Sequence, residues 1–209
     1  MLNKLEKLKL NLPKTPGILG KEEYFNSAVL IPLLHIGNEY HLLFEKRAPN
    51  IKQGGEICFP GGKIEKGETA EQTALRETFE EIGIPPEQIN IIGKTDLLFG
   101  PRGVLVEPIV AEIKSDNFSR LKLQKSEVEK VFTVPLSYFE KNTPEHFKIH
   151  STIKHKSYNS KGEEEKLIPE NNTTYYQNIR DVLVYKTKGE IIWGITAKLV
   201  YEIIKLVEQ

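Results

Sequence analysis

The stretch from Thr69 to Pro86 marks both ends of a helix, and that restricts the fold more than any other feature. Thr69 and Gln72 form a T-x-x-Q capping box, in which each residue's side chain satisfies the other's backbone N–H at the helix start. Gly83 follows the last apolar position, and Pro85-Pro86 blocks continuation. The expectation is a helix from about Ala70 to Ile82. The segments around it read mainly as strands. "YFNSAVLIPLL" (24–34) and "EYHLLFEKR" (39–47) are β-rich runs joined across Gly37-Asn38, a hairpin signal. "EICFPGG" (56–62) is a short strand entering a turn, and "INIIGKTDLLF" and "VLVEPIVAEI" are further strands. "SEVEKVFTVPLSYF" (126–139) reads as a strand and a turn. Residues 155–178 are polar and rich in turn formers, which predicts a mobile loop inside a hairpin. "DVLVYK" continues as a strand, and residues 192–207 carry the apolar spacing of a closing helix. Mostly antiparallel strands with few helices predict an α+β domain. It is expected to occupy 1–209 as one unit, with 1–22 an N-terminal extension and the core over about 24–207.

Charge and cysteine content narrow the class. The 29 basic and 29 acidic residues balance, so no polyanion-binding surface such as one for nucleic acid is indicated. The single cysteine, Cys58, cannot close an internal disulfide, which fits a reducing, cytoplasmic setting. The first 17 residues mix Lys and Leu too finely for a signal peptide and read as a short packed helix. No run of about 18 apolar residues exists, so no membrane association is expected.

The helix carries Glu77, Glu80 and Glu81 together beside Arg76. Like charges four apart on a helix oppose each other by about 0.2–0.5 kcal/mol, so this grouping calls for a positive partner or for solvent. At 100° per residue, with Glu77 at 0°, Glu80 lies at about 300° and Glu81 at about 40°. The three share one stripe, while Leu75, Thr78, Phe79 and Ile82 fall on the opposite side as the face expected to pack on a sheet. Ala70, Thr73 and Ala74 continue the acidic stripe with small side chains, leaving room for the preceding loop. Glu68 ends that loop within reach of Arg76, whose fork can hold a carboxylate bidentately. A loop, a rigid helix and three converging carboxylates make a site-like arrangement, able to hold a metal, with an ordinary solvated helix face as the alternative reading.

The string from Gly62 to Ile84 resembles the Nudix hydrolase signature, G-x5-E-x7-R-E-U-x-E-E-x-G-U, where U is a bulky aliphatic residue. Gly62, Glu68, Arg76, Glu77, Glu80, Glu81, Gly83 and Ile84 fall at its spacings, and Thr78 departs from it. The resemblance implies a Nudix fold, a mixed β-sheet sandwiched between α-helices. It also implies Mg²⁺- or Mn²⁺-dependent hydrolysis of a nucleoside diphosphate linked to another moiety. Hard oxygen ligands suit those ions, which would neutralise the diphosphate and acidify a water. On the family pattern Glu77 and Glu81 are metal ligands with Glu80 adjoining, and the Gly62 carbonyl is a further ligand. Arg76 orients the carboxylates, while Glu68 and Gly83 are structural. The general base differs across the family; Glu77 and Glu127 are the candidates here.

Upstream, "LFEKRAPNIKQGGEICFPGG" (43–62) resembles the motif of coenzyme A diphosphatases at Arg47, Ala48, Gly55, Phe59, Pro60, Gly61 and Gly62. Glu45 stands where that motif has Thr, Lys52 where it has a second Arg, and the segment is one residue short. Later segments are similar as well, so the resemblance runs from about residue 26 to 200. It implies coenzyme A as substrate, split into 4′-phosphopantetheine and adenosine 3′,5′-bisphosphate, with Arg47, Lys52 and Gly55 binding it. ADP-ribose or a related nucleoside diphosphate sugar is the alternative substrate, and a catalytically silent ligand sensor is the rival class. The expected partner is a small nucleotide, and a homodimer is allowed. The scattered histidines His35, His41, His146, His150 and His155 form no metal site, although His146 and His150 share a strand face. Cys58 reads as packing rather than reacting, and Trp193 as core at the start of the last helix.

Overall fold

In the computed structural model, described for residues 2–15, 17–114, 121–153, 156–165 and 176–209, the organising element is β1 (Phe25–Ile36). It turns at Gly37-Asn38 into antiparallel β2 (Glu39–Arg47), as the hairpin signal predicts. On its other side it pairs in parallel with β7 (Val104–Ile113), from Phe25 opposite Val104 to Leu34 opposite Ile113. This parallel pair makes the sheet mixed, although most of its pairings are antiparallel. β3 (Ile57–Cys58) and β8 (Val128–Pro135) pair with β2, β4 (Gly61–Lys63) with β1, and β5 (Ile89–Lys94) and β6 (Leu98–Phe99) with β7. A second sheet runs β11-β10-β9, from Glu145–Ile153 (β9), Tyr176–Lys186 (β10) and Ile191–Trp193 (β11).

Both faces of β1 are covered, which explains its unbroken apolar run. Ala28, Leu30 and Leu34 point to one face, where Ala70, Ala74 and Ile82 of helix α2 (Ala70–Ile82) pack with Leu43, Ile109 and Ile113. Ile31 points to the other, joining Leu42, Phe44, Phe59, Leu183 and Tyr185 with Leu199, Val200 and Ile203. Those last three belong to the closing helix, Gly194–Val207. Strand parity therefore sorts β2 as well, with Leu43 toward α2 and Leu42 and Phe44 away from it.

Several local expectations are corrected. The N-terminal helix α1 (Lys4–Asn11) forms, capped by Asn3 and Glu6, but buries no residue. Leu5 and Leu8 share one side and Leu10 lies away from it, and all three remain exposed, at 58, 56 and 70%, with the helix unpacked against the domain. The turn expected near 136–139 is a short helix, α3 (Leu136–Lys141), which seats Phe139 against Phe44 and Tyr185; the closing helix is α4. Trp193 is 39% exposed rather than core, because it ends β11 and flanks α4 instead of lying inside it. β10 begins at Tyr176, earlier than Asp181. Of the loop expected over 155–178, His155 and residues 166–175 lie outside the described residues, and Tyr158 bridges to Glu164 in the described part. Among the described residues no helix is long and apolar enough to cross a membrane.

Candidate functional site

The capping box forms as the spacing predicts. The Thr69 hydroxyl accepts from the Gln72 amide N–H at 3.2 Å, and the Gln72 side chain accepts from that of Thr69 at 2.8 Å. Gly83 closes the helix in the left-handed region, at φ 77°. With both ends fixed, the side chains of α2 point in set directions. Arg76 lies at the centre of the acidic group. Its Nε and Nη2 donate to Glu68 at 2.8 and 3.0 Å, the bidentate clamp expected from the loop end. Its Nη1 reaches Glu77 at 2.8 Å and Glu80 at 3.3 Å. One guanidinium thus offsets three carboxylates, the positive partner that the charge pattern calls for. Thr73 Oγ1 also donates to Glu68 at 2.7 Å. Hydrogen bonds from Arg76 and then Thr73 hold the Glu68 carboxyl down, at about 2.

Thr78 and Ile82 are buried as the wheel expects, but the packed face is rotated away from Phe79 toward one edge of the acidic stripe. Thr73, Ala74, Thr78, Glu81 and Ile82 are the buried side, whereas Phe79 is 52% exposed. Small Ala and Thr side chains let the helix approach the sheet closely, so the packed face extends over Thr73 and Ala74 to Glu81. Glu81 is consequently 4% exposed and turns toward the sheet, where its Oε2 accepts the Gly61 N–H at 2.9 Å. Thr78 is fully buried, and donating its hydroxyl to the Ala74 carbonyl at 2.7 Å satisfies it where the signature has an aliphatic residue. The three carboxylates do not converge as expected. Arg76 draws Glu77 and Glu80 to one side and the Gly61 amide draws Glu81 to the other. Glu80, its side chain 56% exposed, is the outermost.

Gly61 and Gly62 make this approach feasible. A Cβ on Gly62 would lie 2.3 Å from Glu77 Oε1, and one on Gly61 would lie 2.3 Å from the Ala28 carbonyl. Gly62 is paired with Ala28 in the sheet, so Glu77 rests directly on β4 backbone. Burial raises the Glu77 carboxyl above its ordinary value, with Arg76 opposing.

The sequence reading missed one member of the site, Glu45. It is 1% exposed and lies on the α2 face of β2, at the same parity as Leu43. Cys58, its cross-strand partner, donates to its Oε1 at 3.1 Å. Its Oε2 is buried with no hydrogen-bond partner. Burial, above all, raises Glu45, and burial followed by the charge of Glu45 raises Glu81. Cys58 is raised well above the ordinary thiol value by burial and then by Glu45, which agrees with its reading as an inert packing thiol. An acidic residue at an inward strand position, two after Leu43, is the signal that could have found Glu45.

The remaining candidates approach from the sides. Arg47 sits where β2 ends; its Nε donates to the Lys52 carbonyl at 3.2 Å, and its positive charge acts on Glu45 and Glu81. Gly55 takes φ +81° and donates its N–H to the Arg47 carbonyl, closing the loop. The exposed ammonium of Lys52 has no partner among the described residues. Glu127 is exposed just before β8, its carbonyl accepting the Ala48 N–H at 2.7 Å. It is close enough for its charge to act on Glu45 and Glu77.

Among the described residues no three His, Cys, Asp or Glu side chains are arranged as a cation cage. The donor set nevertheless fits a hard divalent cation. Mg²⁺ retains several waters and is commonly held by one or two carboxylates. Glu81 and Glu45 are buried carboxylates, and one of their oxygens lacks any donor.

The NUDIX domain profile matches residues 25–152, more than half of the chain, from β1 into β9. "Nudix hydrolase 3" of Caenorhabditis elegans is 40% identical over 116 residues, 53% of this chain and 48% of that protein. The mouse "Peroxisomal coenzyme A diphosphatase NUDT7" is 38% identical over 114 residues, 54% of this chain and 48% of that protein. The matches thus span about half the length of these two relatives. A crystal structure of a MutT/nudix family protein from Enterococcus faecalis superposes with a TM-score of 0.52 at 16% identity, covering 100% of this chain and 71% of that one. At that identity the likeness speaks for the fold alone, and it agrees with the mixed sheet packed between α2 and α4. With the profile spanning both the sheet and the acidic helix, the chain belongs to the Nudix family.

Proposed function

We propose that this chain is a divalent-cation-dependent diphosphatase acting on a nucleoside diphosphate linked to another moiety. Its proposed substrate is coenzyme A, cleaved to 4′-phosphopantetheine and adenosine 3′,5′-bisphosphate. The observation that carries the reading is the clamp. Arg76, fixed by Glu68 at 2.8 and 3.0 Å, holds Glu77 over the glycine turn while Glu81 is anchored on Gly61. Glu77, Glu81, the Gly62 carbonyl and, at the rim, Glu80 would hold the cation. When bound, Mg²⁺ or Mn²⁺ supplies positive charge against the diphosphate and lowers the pKa of a water. Arg76 is a positioning residue, since its donors are already spent on carboxylates. Of the two candidate bases, Glu127 is exposed with no hydrogen bond or ion pair from its side chain among the described residues, while Arg76 holds Glu77. Glu127 is therefore the freer proton acceptor.

The choice of coenzyme A draws support from the upstream motif and from the similarity to the mouse coenzyme A diphosphatase. Arg47 spends its Nε on the Lys52 carbonyl and its charge acts on Glu45 and Glu81, whereas the Lys52 ammonium is exposed, so Lys52 is the better reader of a 3′-phosphate away from the cation. The test is turnover of purified protein with Mg²⁺ and with Mn²⁺ against coenzyme A, ADP-ribose and dinucleoside polyphosphates. Preferred cleavage of coenzyme A is expected. Preference for ADP-ribose would move the substrate, and no hydrolysis with any of them would favour a ligand sensor.

A further inference from the structure

Glu45 is a carboxylate in a place where a carboxylate is costly. It is 1% exposed, on a strand buried on both faces, and opposite Val131 and Cys58 across β8 and β3. One oxygen takes the Cys58 thiol, a weak donor, and the other takes nothing. Arg47, the cation at the same parity on its own strand, makes its directional bond to the Lys52 carbonyl and none to Glu45. Across the gap on α2 stands Glu81, close enough that the two oppose each other's charge, with Glu77 and Glu127 adding to the repulsion. Burial of an uncompensated charge ordinarily selects against the residue unless something positive arrives. The arrangement calls for a cation between β2 and α2.

We propose that Glu45 is a strand-borne carboxylate of the cation centre, supplying its free Oε2 to the divalent cation that Glu81 holds. The inference rests on the metal-dependent reading above and adds to it a residue outside the acidic helix. It accounts for the missing partner of Oε2 and for the crowding of two buried acids, and it makes Cys58 the group that orients Glu45 through Oε1. The ion would be held from two elements, β2 and α2, rather than from the helix alone.

The test uses full-length protein stripped with EDTA, in wild-type, Glu45→Gln and Glu45→Thr forms. Free Mn²⁺ is followed by electron paramagnetic resonance during titration, and melting is recorded with and without Mn²⁺. Gln keeps an acceptor for Cys58 and loses the charge; Thr is a good strand former should Gln pack poorly. Both variants are expected to bind Mn²⁺ at least about 10–100-fold more weakly than wild type, since losing a group that only orients a ligand already costs that much. The metal-free Glu45→Gln protein should melt higher than wild type, and its rise in Tm on adding Mn²⁺ should be smaller. A residue that only received the Cys58 hydrogen bond would leave both the Mn²⁺ affinity and the Mn²⁺-induced rise in Tm unchanged in Glu45→Gln, whatever the loss of a buried charge does to the metal-free Tm. Equal Mn²⁺ affinity in wild type and a folded variant overturns this inference alone. Wild type that takes up no Mn²⁺ at millimolar concentration overturns the metal reading and this inference together.

Discussion

Replacing Glu81 with Gln should stabilise the metal-free protein while removing most of its activity. Glu81 is 4% exposed, and beyond the Gly61 N–H at 2.9 Å its surroundings add the charges of Glu45 and Glu77, with Arg47 the opposing cation. Taking a carboxylate out of water costs several kcal/mol even after relaxation. A charge-assisted bond such as the one from Gly61 returns roughly 1.5–3 kcal/mol, and the neutral bond that Gln would make returns about 1. The difference leaves Gln favoured by about 1–3 kcal/mol, or about 2–12 °C in Tm for a chain of this size. The sign of the pH dependence follows from the raised folded-state pKa. Glu81 binds its proton more tightly folded than unfolded, so stability is greatest below the ordinary carboxylate range and falls as pH rises through the raised value. The advantage of Glu81→Gln should therefore be small at pH 5 and large at pH 8. Melting of EDTA-treated wild type and variant at both pH values measures it, and turnover with saturating Mg²⁺ should fall by about 10²–10³. A metal-free variant that melts at or below wild type at pH 8 would refute the argument. Near-normal turnover would refute the role assigned to the carboxylate.

Further outcomes follow from the same geometry. Gly62→Ala places a Cβ 2.3 Å from Glu77 Oε1; it should cost about 1–3 kcal/mol and abolish the Mg²⁺-induced rise in Tm, read by thermal melts. Arg76→Lys keeps the charge but loses the fork, and should lower kcat about 10–100-fold with little change in KM; the Glu68 contribution, present at pH above 4.5 and lost as pH falls toward about 2, should shrink in acid melts of Glu68→Gln. Lys52→Ala should lower kcat/KM for coenzyme A about tenfold or more and spare dephospho-coenzyme A, whereas Arg47→Ala should harm both; equal losses with both substrates for Lys52→Ala would refute its reading of the 3′-phosphate.

Much of the site could be read directly because it is local. The capping box, the Gly83 stop and the Glu68–Arg76 clamp act over at most eight residues, and backbone geometry within a helix and its entry loop dictates such contacts whatever the rest of the chain does. The Gly37-Asn38 hairpin is equally local, since turn chemistry sets its register. The facing of the helix is different. Spacing groups Glu77, Glu80 and Glu81 on one stripe, but only packing decides whether that stripe meets solvent or sheet. Hydropathy pointed to the side bearing Phe79, while the small residues Thr73 and Ala74 allowed the closer approach and took Glu81 into the interior. The parallel pairing of β1 with β7 and the exposure of Trp193 likewise depend on strand pairings that no short window contains. Glu45 makes the division plain. Its strand and its parity with Leu43 are written in residues 39–47. Its meeting with Glu81 and Cys58 required the sheet register to set β3 beside β2 and α2 across that face. Side-chain direction follows from the local period of the chain, whereas proximity between distant segments follows from the global minimum of packing, and the candidate cation centre needed both.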